Sequence, residues 1–267
     1  SSTSIRMRGL VIGSLLALGL AGVLGAKEAD YWGKDSVVED LNHLNFATFI
    51  KKPDSMNHVK LIEFYKPDVA NCKSFVKEYN ELAKQLKGVI KVTAVNCAKE
   101  AKICKEYGVE SYPTLKVIPP GGFGIQDFDG ERTAKAVYSW ALKFHNHFVE
   151  KVTSDNLDAF LNKNGQKFKA LLFTDKGKIP LMWRGLSVDF HNKMNLGVVM
   201  KEESGVVGRY KVKKFPTILV VNPTQKKPIK YEDKVEYGEL FTFLNRYQET
   251  FALEDPTADE EEAAKKP

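Results

Sequence analysis

Apolar and polar residues alternate along most of the chain in short blocks, and the blocks follow an order. Leu61-Ile62-Glu63-Phe64-Tyr65 is an apolar run with one embedded acid, the pattern of a buried strand. Lys66-Pro67 ends it, and Asp68 stands where a helix cap is needed. From Cys72 to about Leu86, Phe75, Tyr79, Leu82 and Leu86 recur on one helical face. Gly88 closes that helix, and Val89 to Val95 is a β-branched run that predicts a second buried strand. Upstream, Val37-Val38-x-x-Leu41 and then Asn45-Phe46-x-x-Phe49-Ile50 predict a short strand and a short helix, followed by a polar loop carrying Pro53. Downstream come a brief helix from Ala101 to Tyr107 and a strand entered through Tyr112-Pro113. A glycine-rich turn from Pro119 to Gly124, an edge strand from Gln126 to Phe128 and a last helix from Thr133 to about His147 complete the unit. The predicted order is β-α-β-α-β-α-β-β-α, an α/β unit.

The second half repeats the first. Ala170-Leu-Leu-Phe-Thr answers Leu61-Ile-Glu-Phe-Tyr, and Leu196 to Met200 answers the Val89–Val95 strand. Tyr210-Lys-Val-Lys-Lys-Phe-Pro-Thr-Ile-Leu-Val-Val matches Tyr107-Gly-Val-Glu-Ser-Tyr-Pro-Thr-Leu-Lys-Val-Ile almost position by position. A self-match of that length predicts two tandem copies of one unit, with a boundary near Glu150–Ser154.

The ends depart from this pattern. Arg6-Met7-Arg8 precedes an uncharged run rich in Leu, Gly and Ala from Gly9 to Ala26, with small residues where a signal peptidase cuts. Residues 1–26 read as a secretory leader with Met7 as its initiator, the rival being an uncleaved membrane anchor over 9–26. Residues 27–150 and 151–251 are then the two units, and 252–267, with the run Asp259–Glu262, a solvated acidic tail.

Composition changes this picture little. Of 267 residues, 43% are hydrophobic and 28% charged, enough for a packed core. The net charge of +6 is spread among carboxylates with no basic stripe, which argues against a nucleic-acid partner. The five histidines (His43, His58, His145, His147, His191) show no metal spacing and read as surface residues. The glycine run Pro119–Gly124 is not followed by Lys-Ser/Thr and is a turn, not a phosphate cradle. No metal site and no cofactor are expected.

The stretch Glu63-Phe64-Tyr65-Lys66-Pro67-Asp68-Val69-Ala70-Asn71-Cys72-Lys73 resembles the active-site segment E-F-Y-A-P-W-C-G-H-C-K of the protein disulfide isomerase family. Glu63, Phe64, Tyr65, Pro67, Cys72 and Lys73 match. Asp68 replaces the tryptophan, Val69 the first cysteine, and Ala70-Asn71 the Gly-His pair. The resemblance runs from about Val37 to Phe251. It implies two tandem thioredoxin-like domains, each a central mixed β-sheet flanked by helices. The first is a catalytic-type domain with a degenerate site, and the second, free of cysteine, resembles the family's redox-inactive b-type domains.

In the family the first cysteine is the nucleophile, so Val69 excludes a dithiol cycle at this motif. Asp68 at the helix start disfavours a thiolate beside it. Cys72 occupies the family's resolving position, which points inward. It is either a small buried hydrophobe or a monothiol that traps clients. Glu63 matches the family's buried proton-relay acid. Burial predicts an upshifted pKa, and with no thiol at Val69 a neutral acid bonded to a neighbour or a water is the plainer reading. Arg132 matches the family's Gly-x-Arg loop and is otherwise a surface residue opening a helix.

Cys97 and Cys104 lie seven apart, a spacing that permits either a disulfide or two reduced buried thiols. The family carries the same pair as a structural bridge. By the same resemblance Pro113 and Pro216 are cis. Tyr112, before Pro113, is then a peptide-binding position whose backbone pairs with an extended chain. The function this implies is a non-catalytic folding factor or adaptor, binding unfolded or partner polypeptides in the endoplasmic reticulum lumen or the wider secretory pathway. The alternatives are a monothiol thiol-disulfide oxidoreductase using Cys72, and a structural subunit held at a membrane if residues 9–26 are retained.

Overall fold

The computed structural model describes residues 31–51, 57–122, 124–165, 167–222 and 227–248. The leader, the anchor alternative, the loop around Pro53 and the acidic tail lie outside the described residues. Among those described, no helix is long and apolar enough to cross a membrane.

The first unit runs β1 (Glu39–Leu41), α1 (Phe46–Lys51), β2 (Val59–Tyr65), α2 (Ala70–Gln85), β3 (Ile90–Asn96), α3 (Ala101–Glu106), β4 (Thr114–Ile118), β5 (Gln126–Asp127) and α4 (Ala134–Ala141). The second repeats the order as β6 (Glu150–Lys151), α5 (Leu157–Asn162), β7 (Lys169–Thr174), α6 (Leu181–Asp189), β8 (Asn195–Met200), α7 (Ser204–Arg209), β9 (Thr217–Val221), β10 (Ile229–Lys230) and α8 (Tyr237–Asn245). The sheets are ordered β1-β3-β2-β4-β5 and β6-β8-β7-β9-β10. In each, the first three strands named are parallel, and the fourth and fifth each pair antiparallel with the strand before them. Two mixed five-stranded sheets flanked by helices make the protein a tandem pair of thioredoxin-like domains.

Strand β2 is central because every one of its residues is buried, which an apolar run supplies and an alternating one would not. Side chains on a strand alternate between faces. Val59, Leu61 and Tyr65 therefore join the cluster under α2 and α4, while Ile62 and Phe64 join the one under α1 and α3. Each fully buried Leu or Phe contributes about 1.5–3 kcal/mol. Glu63 falls on the α2 face by the same alternation. Its counterpart in β7 is Leu172, set between Val198 and Ile218 as Glu63 is set between Ala94 and Leu115. The second domain thus replaces acid with hydrocarbon at this point.

Several boundaries differ from the sequence reading. Helix α2 starts at Ala70, and its N-cap is Val69 with no side-chain capping bond, so Asp68 does not cap it. Helix α4 stops at Ala141, followed by a 3-10 turn over Leu142–Phe144, and does not reach His147. The reason is tertiary. The Phe148 amide donates to Ser187 Oγ (3.0 Å) and the His145 carbonyl accepts from Arg184 Nη2 (3.4 Å), so α6 takes groups a longer helix would have used.

The two domains are docked at the N-terminal end of β2. Leu181 of α6 packs against the first domain's core. Gly185 lies so close to Gly88 that a Cβ there would sit 2.5 Å from the Gly88 carbonyl oxygen. His58 Nε2 donates to Asp189 Oδ1 at 2.8 Å, and Tyr237 Oη donates to the other oxygen of the same carboxylate. His58 and His145 are only 2% and 6% exposed, which corrects the reading of all five histidines as surface residues. Each is covered by the neighbouring domain, a cause invisible to local sequence.

Candidate functional site

The site lies at the other end of β2, where the strand hands over to α2. Val69, half-buried against the core, stands at the helix tip with φ −78° and ψ 126°. Ala70 and Asn71 are exposed, and so is Asp68. One turn in, Cys72 is fully buried and free. Burial pushes its thiol pKa above the ordinary value, with Glu63 and Asp68 adding to the rise and a Lys66 backbone bond and Arg132 opposing it. A raised thiol pKa and a covered sulfur both work against nucleophilic attack.

Glu63 is fully buried beneath this helix, and neither carboxylate oxygen has a hydrogen-bond partner among the described residues. The neighbour bond considered from sequence is therefore not supplied by any described residue. Desolvation lifts the acid to about 8, with Asp40 adding to the shift and Arg132 opposing it. At neutral pH the group is protonated, the one state in which burial is cheap.

Around Glu63 stands an aromatic wall that the sequence reading missed. Tyr31 stacks on Tyr65 at 4.4 Å, and Trp32 meets Tyr65 edge-on at 5.2 Å. Asp40 fixes the wall from the outside by accepting from Trp32 Nε1 (3.2 Å) and Tyr65 Oη (3.0 Å). Tyr79 Oη donates to the Thr93 carbonyl at 2.7 Å, tying α2 to β3. The hydroxyl of Tyr31, like the Glu63 carboxyl, is buried without a partner among the described residues. An adjacent Tyr-Trp pair ahead of β1 was the available signal, but only the sheet places it against β2.

The peptide bond Tyr112–Pro113 is cis, as is Phe215–Pro216 in the second domain. Arg132 Nε donates to the Pro113 carbonyl at 3.2 Å, so the arginine braces the proline loop from an exposed position. Lys66 Nζ sits 4.6 Å from the centroid of the half-buried Tyr112 ring, a cation–π contact at the mouth of the site. Beside them a cleft of about 280 Å³ runs from Lys66 and Tyr112 past Glu110 and Lys105 to Cys97 and Cys104.

Cys97 and Cys104 form a disulfide with Cα atoms 5.8 Å apart. The bridge belongs to the cluster under α1 and α3, across the sheet from Cys72. The structure thus brings Glu63 and Cys72 together on one face, with Pro113 and Arg132 at the rim, and keeps the bridge away. No group of three or more His, Cys, Asp or Glu able to hold a metal occurs among the described residues.

Comparison with known proteins agrees with the fold. The thioredoxin family profile matches residues 37–143, and the profile of a second thioredoxin-like domain, that of DJC16, matches residues 151–243. A provisionally named protein disulfide-isomerase of Dictyostelium discoideum is 34% identical over 194 residues, covering 70% of this chain and 47% of its own. Protein disulfide-isomerase 2-3 of Arabidopsis thaliana is 27% identical over 255 residues, covering 83% and 56%. The chain thus spans about half the length of these relatives. Among solved structures, ERdj5 in its form II crystal superposes with a TM-score of 0.61 at 16% identity, over 80% of this chain and 30% of that one.

Proposed function

Since the chain belongs to the thioredoxin-fold family of protein disulfide isomerase-like proteins, we propose that it is a non-catalytic member, a folding factor or adaptor that binds unfolded or partner polypeptides in the secretory pathway. One observation carries the reading. The helix tip presents Val69, and the thiol behind it is buried with a raised pKa. Thiol-disulfide exchange starts from an accessible thiolate, and neither condition is met.

What the site retains is a binding surface. Tyr112 presents a ring to the cleft, and its backbone takes part in no hydrogen bond among the described residues. An extended segment can pair there as an added strand, with its side chains entering the cleft. The Cys97–Cys104 bridge fits an oxidising compartment such as the endoplasmic reticulum lumen.

The test is suppression of aggregation of a reduced, unfolded client by the full chain, with insulin reduction measured alongside. Tyr112→Ala is expected to weaken suppression at least threefold, Cys72→Ser to leave it unchanged, and no insulin turnover to be seen. Suppression lost in Cys72→Ser, with a mixed disulfide trapped by the wild type, would instead establish the monothiol oxidoreductase.

A further inference from the structure

The docked junction between the domains gathers titratable groups that the site does not use. His58 and His145 come from the first domain, His147 from the segment between the domains, and Arg184, Asp189 and Tyr237 from α6 and α8 of the second. Asp189 accepts from His58 on one oxygen and from Tyr237 on the other, so its carboxylate is already engaged. His145 has no such partner. It is 6% exposed, its Nε2 is buried without a hydrogen bond among the described residues, and Arg184 approaches it, donating from Nη2 to its carbonyl at 3.4 Å. Arg184 in turn leaves its Nε buried and unpaired among the described residues. A cation on His145 would therefore face Arg184, His147 and His58, with no acid of its own to answer it.

We propose that this junction is an acid-released latch: protonation of His145 against Arg184 drives the two thioredoxin-like domains apart while each stays folded. Undocking brings water to the orphaned His145 Nε2 and Arg184 Nε together, so the open state satisfies groups the closed state cannot. His58 already holds Asp189 at 2.8 Å, whereas His145 has no carboxylate hydrogen-bonded to its ring among the described residues. The sensor is His145.

The direction follows from linkage. Docking holds the His145 pKa down to about 4 from an ordinary 6.5, first by desolvation and then by Arg184, His147 and His58. His147 is shifted in the same direction by burial and Arg184. The open form thus takes up a proton at a pH where the closed form refuses it. Between pH 7.5 and 5.5 the open-to-closed ratio should rise about tenfold from His145 alone.

Amide hydrogen exchange on the full chain reads this ratio, each rate being divided by its intrinsic value at that pH. The Phe148 amide, which donates across the junction to Ser187, is expected to lose about tenfold in protection from pH 7.5 to 5.5, while β2 and β7 keep theirs. His145→Gln, neutral at both pH values, should shrink the change severalfold, leaving only the part that His147 supplies. Arg184→Gln, which removes the cation, should shrink it as well, and decides the matter if His145→Gln does not fold. An undiminished change in the variants that fold, no change in the wild type, or an equal loss in β2 and β7 would each overturn the latch.

Discussion

Glu63 is the residue whose cost the fold carries most openly. A carboxyl with both oxygens unpaired among the described residues is tolerable under α2 only while it holds its proton. Its pKa is raised to about 8, so the folded state binds a proton that the unfolded state has released above about 4.5. Stability from this group is therefore complete below pH 4.5 and falls as pH rises toward 8, by roughly 3 kcal/mol at pH 7. Glu63→Gln keeps the shape and removes the titration. Urea denaturation from pH 4.5 to 8 should show the wild type losing stability across this window relative to the variant, with the two converging at the acid end. Parallel curves would mean that an unseen partner ionises the acid. Glu63 was legible in the sequence, because one acid in an apolar strand has few other readings. Tyr31 and Asp40 were not. They reach the strand through parallel pairing of β1 with β3, a contact between residues about 55 apart that no local pattern encodes.

At the scale of elements, the helix tip decides what the first domain can do. Helix α2 opens on Val69 with no side-chain cap, where Ser, Thr, Asp or Asn would add about 1 kcal/mol. A thiol at this point would meet the free amides of the first turn, which favour a thiolate. Val69→Cys is therefore expected to give measurable insulin reduction, and Val69→Cys with Cys72→Ser to lose multiple turnover for want of a resolving thiol. The activity should be weak, since Asp68 opposes a nearby thiolate and Cys72 is deep. No activity in a folded Val69→Cys would show that the site has lost more than one sulfur. The order of elements was readable in both halves because strand-like runs and helical faces differ in period. Helix ends were less so. Periodicity carries α4 on toward His147, but α6 claims the His145 carbonyl and the Phe148 amide first.

The whole molecule places its two domains against each other at the end of β2 remote from the candidate site. Seven residues of strand, about 23 Å, separate His58 from Tyr65, so docking leaves the cleft by Tyr112 uncovered. The contact depends on small residues. Gly88 has φ +79°, and a Cβ on it would strike the Tyr237 ring, while one on Gly185 would lie 2.5 Å from the Gly88 carbonyl oxygen. Gly185→Ala therefore forces a choice between moving α6 within its own domain and moving that domain off its neighbour. Trp183 and Leu186 bind α6 to the second core, and Trp183 Nε1 donates to the Gly197 carbonyl at 3.1 Å, so the domain should move as a body. The cost to docking should be about 1–3 kcal/mol, the usual range for overpacking. Limited proteolysis between Leu142 and Glu150 should then be about fivefold or more faster, while circular dichroism remains that of two folded domains. Gly208→Ala on α7, where a Cβ meets nothing within 4 Å, is the matched control and should leave cleavage at the wild-type rate. If Gly185→Ala instead unfolds the second domain, α6 is held more firmly by the junction than by its own core.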